Sequence, residues 1–293
     1  MAKAVINGIR VHYQVKGSGP DIILIHGITS SLAQWYIEIL PALARDYRVT
    51  IYDLRGHGLS ELTEGGYDSE SMARDLLGLM DHLKIEKACL AGHSYGGAIA
   101  LHLAMLQPER VRGIVLMDTG LACLRHLRTI RDWVGWDLWG NQLADFGITM
   151  DWFLDLDRHQ DAAEIIRRSL SVPVQSGFRK GQSALTPRID RLLSETRMGS
   201  EFREIGNLTE ENLARLDTPV LGIYGGTSPY ARMAERLNQL LPQCRYEVLA
   251  EAGHFSAAED PGPTLDRMRG FLRDPGASIA EGKSGLATGG HAA

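Results

Sequence analysis

Lys87-Ala88-Cys89-Leu90-Ala91-Gly92-His93-Ser94-Tyr95-Gly96-Gly97-Ala98-Ile99-Ala100-Leu101-His102-Leu103 opens as an apolar run and closes as a stretch of small and apolar helix formers, with one serine at the join. A strand that turns abruptly into a helix places that serine at the apex of the turn. Gly92 and Gly96 frame it as G-x-S-x-G, and residues without a Cβ allow a sharp, strained backbone. The first helical turn behind Ser94 offers N–H groups with no intrahelical acceptor and the positive end of the helix dipole. The pentapeptide also arises by chance in Gly- and Ser-rich loops, so its weight comes from the strand before it and from Gly97 and the small-residue helix after it. Ser94 is therefore a candidate nucleophile.

Outward from this turn, short apolar and mostly β-branched runs recur at Ile22–Ile25, Tyr47–Tyr52, Ala88–Leu90 and Val111–Met117. Helix-like stretches separate them, and alternating strands and helices imply a mostly parallel sheet. Val5 to Val15 alternates around Asn7-Gly8 and reads as a leading hairpin. Ser31 to Ala44 has apolar residues at helical spacing, with Pro41 expected to kink the helix or to start a second piece. Ser69 is read as the cap of a helix carrying Met72, Leu76, Leu79, Met80 and Leu83 on one face. The rhythm breaks after Met117, and residues from about Leu121 to Leu216 read as a helical insertion. Trp133, Trp136, Trp139 and Trp152 in that insertion can line an apolar ligand pocket, or else Trp133, Trp136 and Trp139 share one packed helix face. Sheet patterning returns at Pro219–Tyr224 and Arg245–Leu249, and a last helix is expected from about Pro263 to Leu272. The expected division is a core of residues 1–119 and 217–275, a helical cap over 120–216, and a disordered tail over 276–293.

Composition narrows the function. With 293 residues, 44% hydrophobic and 23% charged, the chain is long and apolar enough for one large globular domain with an insertion. A net charge of −5 spread along the chain favours neither nucleic acid nor an anionic membrane as partner. A small-molecule substrate is expected, with the protein a monomer or homodimer. Cys89, Cys123 and Cys244 are odd in number and widely spaced, which argues against a disulfide framework or a zinc site. Together with an N-terminus that enters a strand pattern at once, this points to a reducing cytoplasm. No metal or cofactor is implied.

A serine hydroxyl needs a base within hydrogen-bond reach, itself oriented by a third group. His254, in Ala252-Gly253-His254-Phe255 directly after the last expected strand, is the leading base, whereas His26 and His93 read as backbone-fixing residues. His26-Gly27, the run Asp53-Leu54-Arg55-Gly56-His57-Gly58-Leu59-Ser60, the Ser94 turn and Gly253-His254 occur in this order after the third, fourth, fifth and eighth strands. In these motifs the chain resembles the α/β-hydrolase superfamily over nearly all of residues 3 to 273. That resemblance implies an α/β fold with a mostly parallel eight-stranded sheet and helices on both faces. It further implies an oxyanion hole made by the backbone N–H groups of Ile28 and Tyr95, a cap formed by the insertion, and loop-fixing roles for Arg55, His57 and Ser60.

The acid departs from the usual family pattern. Where the family places an Asp after the seventh strand, this chain reads Gly225-Gly226-Thr227-Ser228-Pro229-Tyr230. A neutral Ser228 can accept a hydrogen bond from an imidazole but does not stabilise imidazolium as a carboxylate does. The nearest substitute is Asp118 at the end of the sixth strand, where certain haloalkane dehalogenases and zearalenone-type lactonases are similar in carrying their acid. The rival role for Asp118 is to cap or hinge the entry to the insertion.

Serine at the turn, where dehalogenases and epoxide hydrolases of this fold use aspartate, directs the reading to acyl transfer. The expected activity is hydrolysis of a small to medium apolar carboxylic ester or lactone through an acyl-enzyme on Ser94, with His254 as base, Asp118 as its orienting acid and Trp133, Trp136 and Trp152 as substrate contacts. The alternatives are a thioesterase, a C–C bond hydrolase or cofactor-independent oxygenase in which His254 does base chemistry, and a non-catalytic ligand-binding protein that kept the fold.

Overall fold

The computed structural model describes residues 2–128, 162–171, 186–254 and 261–280. Eight strands form one sheet: β1 (Ala2–Ile6), β2 (Ile9–Lys16), β3 (Asp21–Ile25), β4 (Arg48–Tyr52), β5 (Ala88–His93), β6 (Val111–Met117), β7 (Val220–Gly225) and β8 (Cys244–Leu249). Their order is β1-β2-β4-β3-β5-β6-β7-β8. β2 runs antiparallel to both β1 and β4, and every other pairing is parallel. The hairpin forms at Asn7-Gly8, both with positive φ (49° and 81°), as a two-residue turn of matching twist requires.

Period-two alternation splits the sheet's side chains between two apolar layers. Ile23, Ile25, Leu90 and Ile114 enter one layer, while Ile22, Leu24, Ala91, Val115 and Ile223 enter the other. Burial on both faces explains why these strands read as continuous apolar runs rather than alternating ones. The first layer is covered by α2 (Ser69–His82) and α3 (Tyr95–Leu106), the second by α1 (Ile39–Leu43).

Several local expectations are adjusted. The stretch from Ser31 divides into a 3-10 turn at Leu32–Trp35 and α1, with Pro41 accommodated in the first turn of α1, where its missing N–H costs nothing. Asp68, not Ser69, caps α2: its carboxylate accepts the Ser71 N–H at 2.8 Å. Within 120–216 the described elements are helical: a 3-10 stretch Ala122–Leu127, α4 (Ala162–Ser171), α5 (Pro187–Ser194), α6 (Met198–Glu201) and α7 (Glu210–Leu213). Ile189, Leu192 and Leu193 of α5 join the first apolar layer. After β7 comes α8 (Ala231–Leu240), and after β8 comes α9 (Pro261–Arg273), which packs on the second layer.

Order does not end at residue 276. Residues 275–280 are helical, the Ser278 N–H donates to the Asp274 carbonyl at 3.0 Å, and Ile279 is 1% exposed in the second layer. The Gly- and Ala-rich composition hid one large apolar side chain with a place to bury it. The remainder of the expected tail, 281–293, lies outside the described residues, as do Trp133, Trp136, Trp139 and Trp152.

Candidate active site

In a parallel sheet, residues just beyond the carboxyl ends of neighbouring strands converge on one rim. Here that rim carries Gly27 and Ile28 after β3, Ser94 after β5, Asp118 after β6, Ser228 after β7 and His254 after β8.

Ser94 has φ 52° and ψ −121°, a strained conformation for a residue with a Cβ, and directly precedes α3. The turn holds because its N–H donates to the Met117 carbonyl at 2.9 Å and its carbonyl accepts from Gly97 at 3.1 Å. Gly96 is required: a Cβ there would stand 2.3 Å from the Ile25 carbonyl oxygen. Tyr95 begins α3 and Ile28 faces the same cleft as Ser94. Among the described residues, the backbone N–H groups of Ile28 and Tyr95 donate to no protein acceptor.

Asp118 is fully buried and also left-handed, with φ 49°. A buried carboxylate is tolerated only when it is compensated. Its Oδ1 accepts the Gly225 N–H at 3.0 Å, and its Oδ2 accepts both the Ser228 hydroxyl and His254 Nδ1, each at 2.5 Å. Three donors from two other strand ends thus converge on the carboxylate that sequence reasoning named as the substitute acid. Ser228 is 3% exposed and contacts the carboxylate, rather than replacing it at the imidazole.

His254 is held from two further sides. His93 Nε2 donates to the His254 carbonyl at 2.8 Å with ring centroids 4.9 Å apart, and the ring of Tyr230 lies 5.0 Å away. Burial pushes the His93 imidazole down to about 3, with the neighbouring His254 acting in the same direction. His93 is therefore a neutral donor at ordinary pH. His26 and His57 are loop fixtures. His26 Nε2 accepts the Leu54 N–H and His57 Nε2 accepts the Thr29 N–H, and burial lowers both, His57 to about 3. Arg55 forms a paired contact with Asp75 at 2.9 Å, and the Ser60 hydroxyl donates to the Asp53 carbonyl at 2.6 Å. Asp53 in turn accepts the Leu32 and Leu59 N–H groups and His12 Nδ1, locking the loop after β4 to its neighbours.

The cleft over Ser94 is lined, among the described residues, by Ile28, Ser69, Tyr95, Phe202, Leu208 and Tyr230, with Arg128, Arg203 and Glu204 at the same cavity. Phe202, Arg203, Glu204 and Leu208 come from the insertion and carry no sequence motif. At these described positions, Arg128 and Arg203 accompany the aromatic and aliphatic residues.

The family described as alpha/beta hydrolase fold matches residues 20–158. A putative 2-succinyl-6-hydroxy-2,4-cyclohexadiene-1-carboxylate synthase of Bacillus subtilis strain 168 is 30% identical over 273 residues, which span 88% of this chain and 92% of the relative. The chain belongs to the α/β-hydrolase superfamily. Another relative, a soluble epoxide hydrolase of Corynebacterium sp. strain C12, is 28% identical over 279 residues, 92% of this chain and 96% of that protein. Among solved structures, CumD, a meta-cleavage product hydrolase of Pseudomonas fluorescens IP01, superposes with TM-score 0.66 at 25% identity, covering 93% of this chain and 97% of its own. Membership of this α/β-hydrolase superfamily makes a hydrolase the coarse description. Relatives with such different chemistry leave the substrate to be argued from the site. No described helix is long and apolar enough to cross a membrane.

Proposed function

We propose that the protein is a serine hydrolase of small to medium carboxylic esters or lactones. The observation that carries this reading is the 2.5 Å contact between His254 Nδ1 and a fully buried Asp118. With Nδ1–H committed to the carboxylate, Nε2 is the nitrogen that accepts a proton from Ser94 as its hydroxyl attacks the carbonyl carbon. The negative charge that develops on the carbonyl oxygen is met by the Ile28 and Tyr95 N–H groups and the start of α3. His254 returns the proton to the departing alcohol. A water activated by the same nitrogen then releases the acid and frees Ser94. Asp118 stabilises the imidazolium formed in both steps. The insertion over 120–216 serves as a cap closing the cleft, and the protein works in the cytoplasm without a cofactor.

A second reading is supported by the likeness to a meta-cleavage product hydrolase. In it His254 acts as base on a C–C cleavage substrate and Ser94 only orients it. Incubation with a fluorophosphonate, followed by peptide mass analysis and assays on short p-nitrophenyl esters, separates the two. Covalent capture of Ser94 and loss of esterase turnover in Ser94→Ala, by about 10⁴-fold or more, are expected. A wild type as inert as Ser94→Ala on every ester would end the proposal.

A further inference from the structure

Arg188 lies at the start of α5 in the insertion, half-buried, and its guanidinium reaches back to the core. Its Nε donates to the Gly56 carbonyl at 2.9 Å and its Nη2 donates to the Ser60 carbonyl. The planar fork of arginine suits this double contact, since a lysine ammonium is a single point of charge on a flexible stem. The two clamped carbonyls stand at the ends of a tight loop in which Gly56 and Gly58 have positive φ, 76° and 48°. His57 sits inside that loop. Its Nδ1 is bonded to the Arg55 carbonyl at 2.7 Å, an oxygen that only accepts, so Nδ1 carries the ring proton and Nε2 keeps its lone pair for the Thr29 N–H at 3.2 Å. Burial, the neighbouring His26 and the Arg188 charge disfavour a second proton on this ring, outweighing the Arg55 carbonyl and Asp53, which favour one. Thr29 needs such a hold: its φ of 61° is a conformation that a β-branched side chain resists, and it directly follows Ile28. The Asp53 carboxylate, accepting the Leu32 N–H at 2.8 Å, fixes the same segment three residues on.

We propose that Arg188 is a positioning residue for the oxyanion hole, acting on it across the loop 56–60 and through the contact between His57 and Thr29. The part of Ile28 as an oxyanion donor rests on the serine-hydrolase reading above, whereas the clamp does not. With the loop seated by Arg188, His57 holds Thr29 in its strained conformation, and the Ile28 N–H stays directed to the place the carbonyl oxygen takes once Ser94 has attacked. The insertion thereby supports catalysis from its seat on the core, and Arg188 touches no substrate.

Arg188→Met and Arg188→Lys are compared with Arg191→Met, a control on the same helix whose exposed side chain pairs with Glu195. On a p-nitrophenyl ester, Arg188→Met should lower kcat by about 10- to 100-fold with KM within about twofold, the pattern of an interaction made only in the transition state. Arg188→Lys, which keeps the charge and loses the fork, should regain only part of that loss. A trifluoromethyl ketone, which forms a tetrahedral anion on Ser94, should bind more weakly by the same factor as kcat/KM falls. Hydrogen exchange read by mass spectrometry should quicken in Arg188→Met at the Thr29 amide, while the central strands stay protected as in the wild type. Unaltered exchange at Thr29, a loss confined to KM, an unchanged inhibitor affinity, or an equal loss in Arg191→Met would overturn the assignment. A wild type without ester turnover removes the serine-hydrolase reading instead, and exchange at Thr29 then still decides whether Arg188 holds the loop.

Discussion

Asp118 holds three donors on one buried carboxylate, and two of them share Oδ2. Charge-assisted hydrogen bonds of this kind are about twice as strong as neutral ones, and removing the charge leaves the donors of Gly225, Ser228 and His254 poorly matched. Asp118→Asn also offers His254 an amide that favours the wrong imidazole tautomer, so kcat on a reactive ester should fall by roughly 10³–10⁴-fold with KM little changed. Ser228→Ala removes only one of the carboxylate's donors and should cost about tenfold. Steady-state rates on a p-nitrophenyl ester check both, and a fully active Asp118→Asn would remove Asp118 from the mechanism. The position of Asp118 in the chain was legible as a candidate, because the sixth apolar run ends in a carboxylate beside the strand that presents Ser94. Its left-handed backbone and the role of Ser228 as its donor were not, since both depend on β7 lying next to β6.

Across whole elements, the turn from β5 into α3 is fixed by close packing against β3. Gly96 sits where a methyl group would meet the Ile25 carbonyl oxygen at 2.3 Å and that of His26 at 2.8 Å. Backbone oxygens in a central strand do not yield, so Gly96→Ala should destabilise the fold by about 1–3 kcal/mol and displace the Ser94 turn. Gly270, inside α9, has nothing within 4 Å of a Cβ. Gly270→Ala should therefore stabilise by about 0.5–1 kcal/mol through reduced chain entropy. Urea unfolding of the pair gives opposite shifts in midpoint if this account is right, and a neutral Gly96→Ala would refute it. The strands and flanking helices were legible because their apolar periodicity is local. The caps were less so: Asp68 and Ser69 are both good capping residues, and only the backbone geometry chose Asp68.

At the scale of the molecule, His26, His57 and His93 are all buried at the strand-end rim, and burial lowers each of them. His57 and His93 titrate near 3 when folded and near 6.5 when unfolded. Between those values the unfolded chain binds protons that the folded one refuses, so stability is retained above about pH 6.5 and lost progressively as pH falls toward 3. Each of the two contributes about 1 kcal/mol of loss between pH 6.5 and 5.5. Urea midpoints measured at these pH values should drop accordingly. A midpoint independent of pH over this window would show that these imidazoles are charged in the folded state.

The sequence by itself determined the parallel sheet, the serine at its turn, the histidine after the last strand and a carboxylate in reserve, because strand period, glycine placement and motif order are written in neighbouring residues. Tertiary structure alone decided which donors hold Asp118, that Ile279 has a buried place beyond the last long helix, and that Phe202, Leu208 and Tyr230 line the cleft that holds Ser94. Those relations join segments far apart in the chain, and which of them meet is set by strand order and by burial over the whole molecule, quantities that no local pattern encodes.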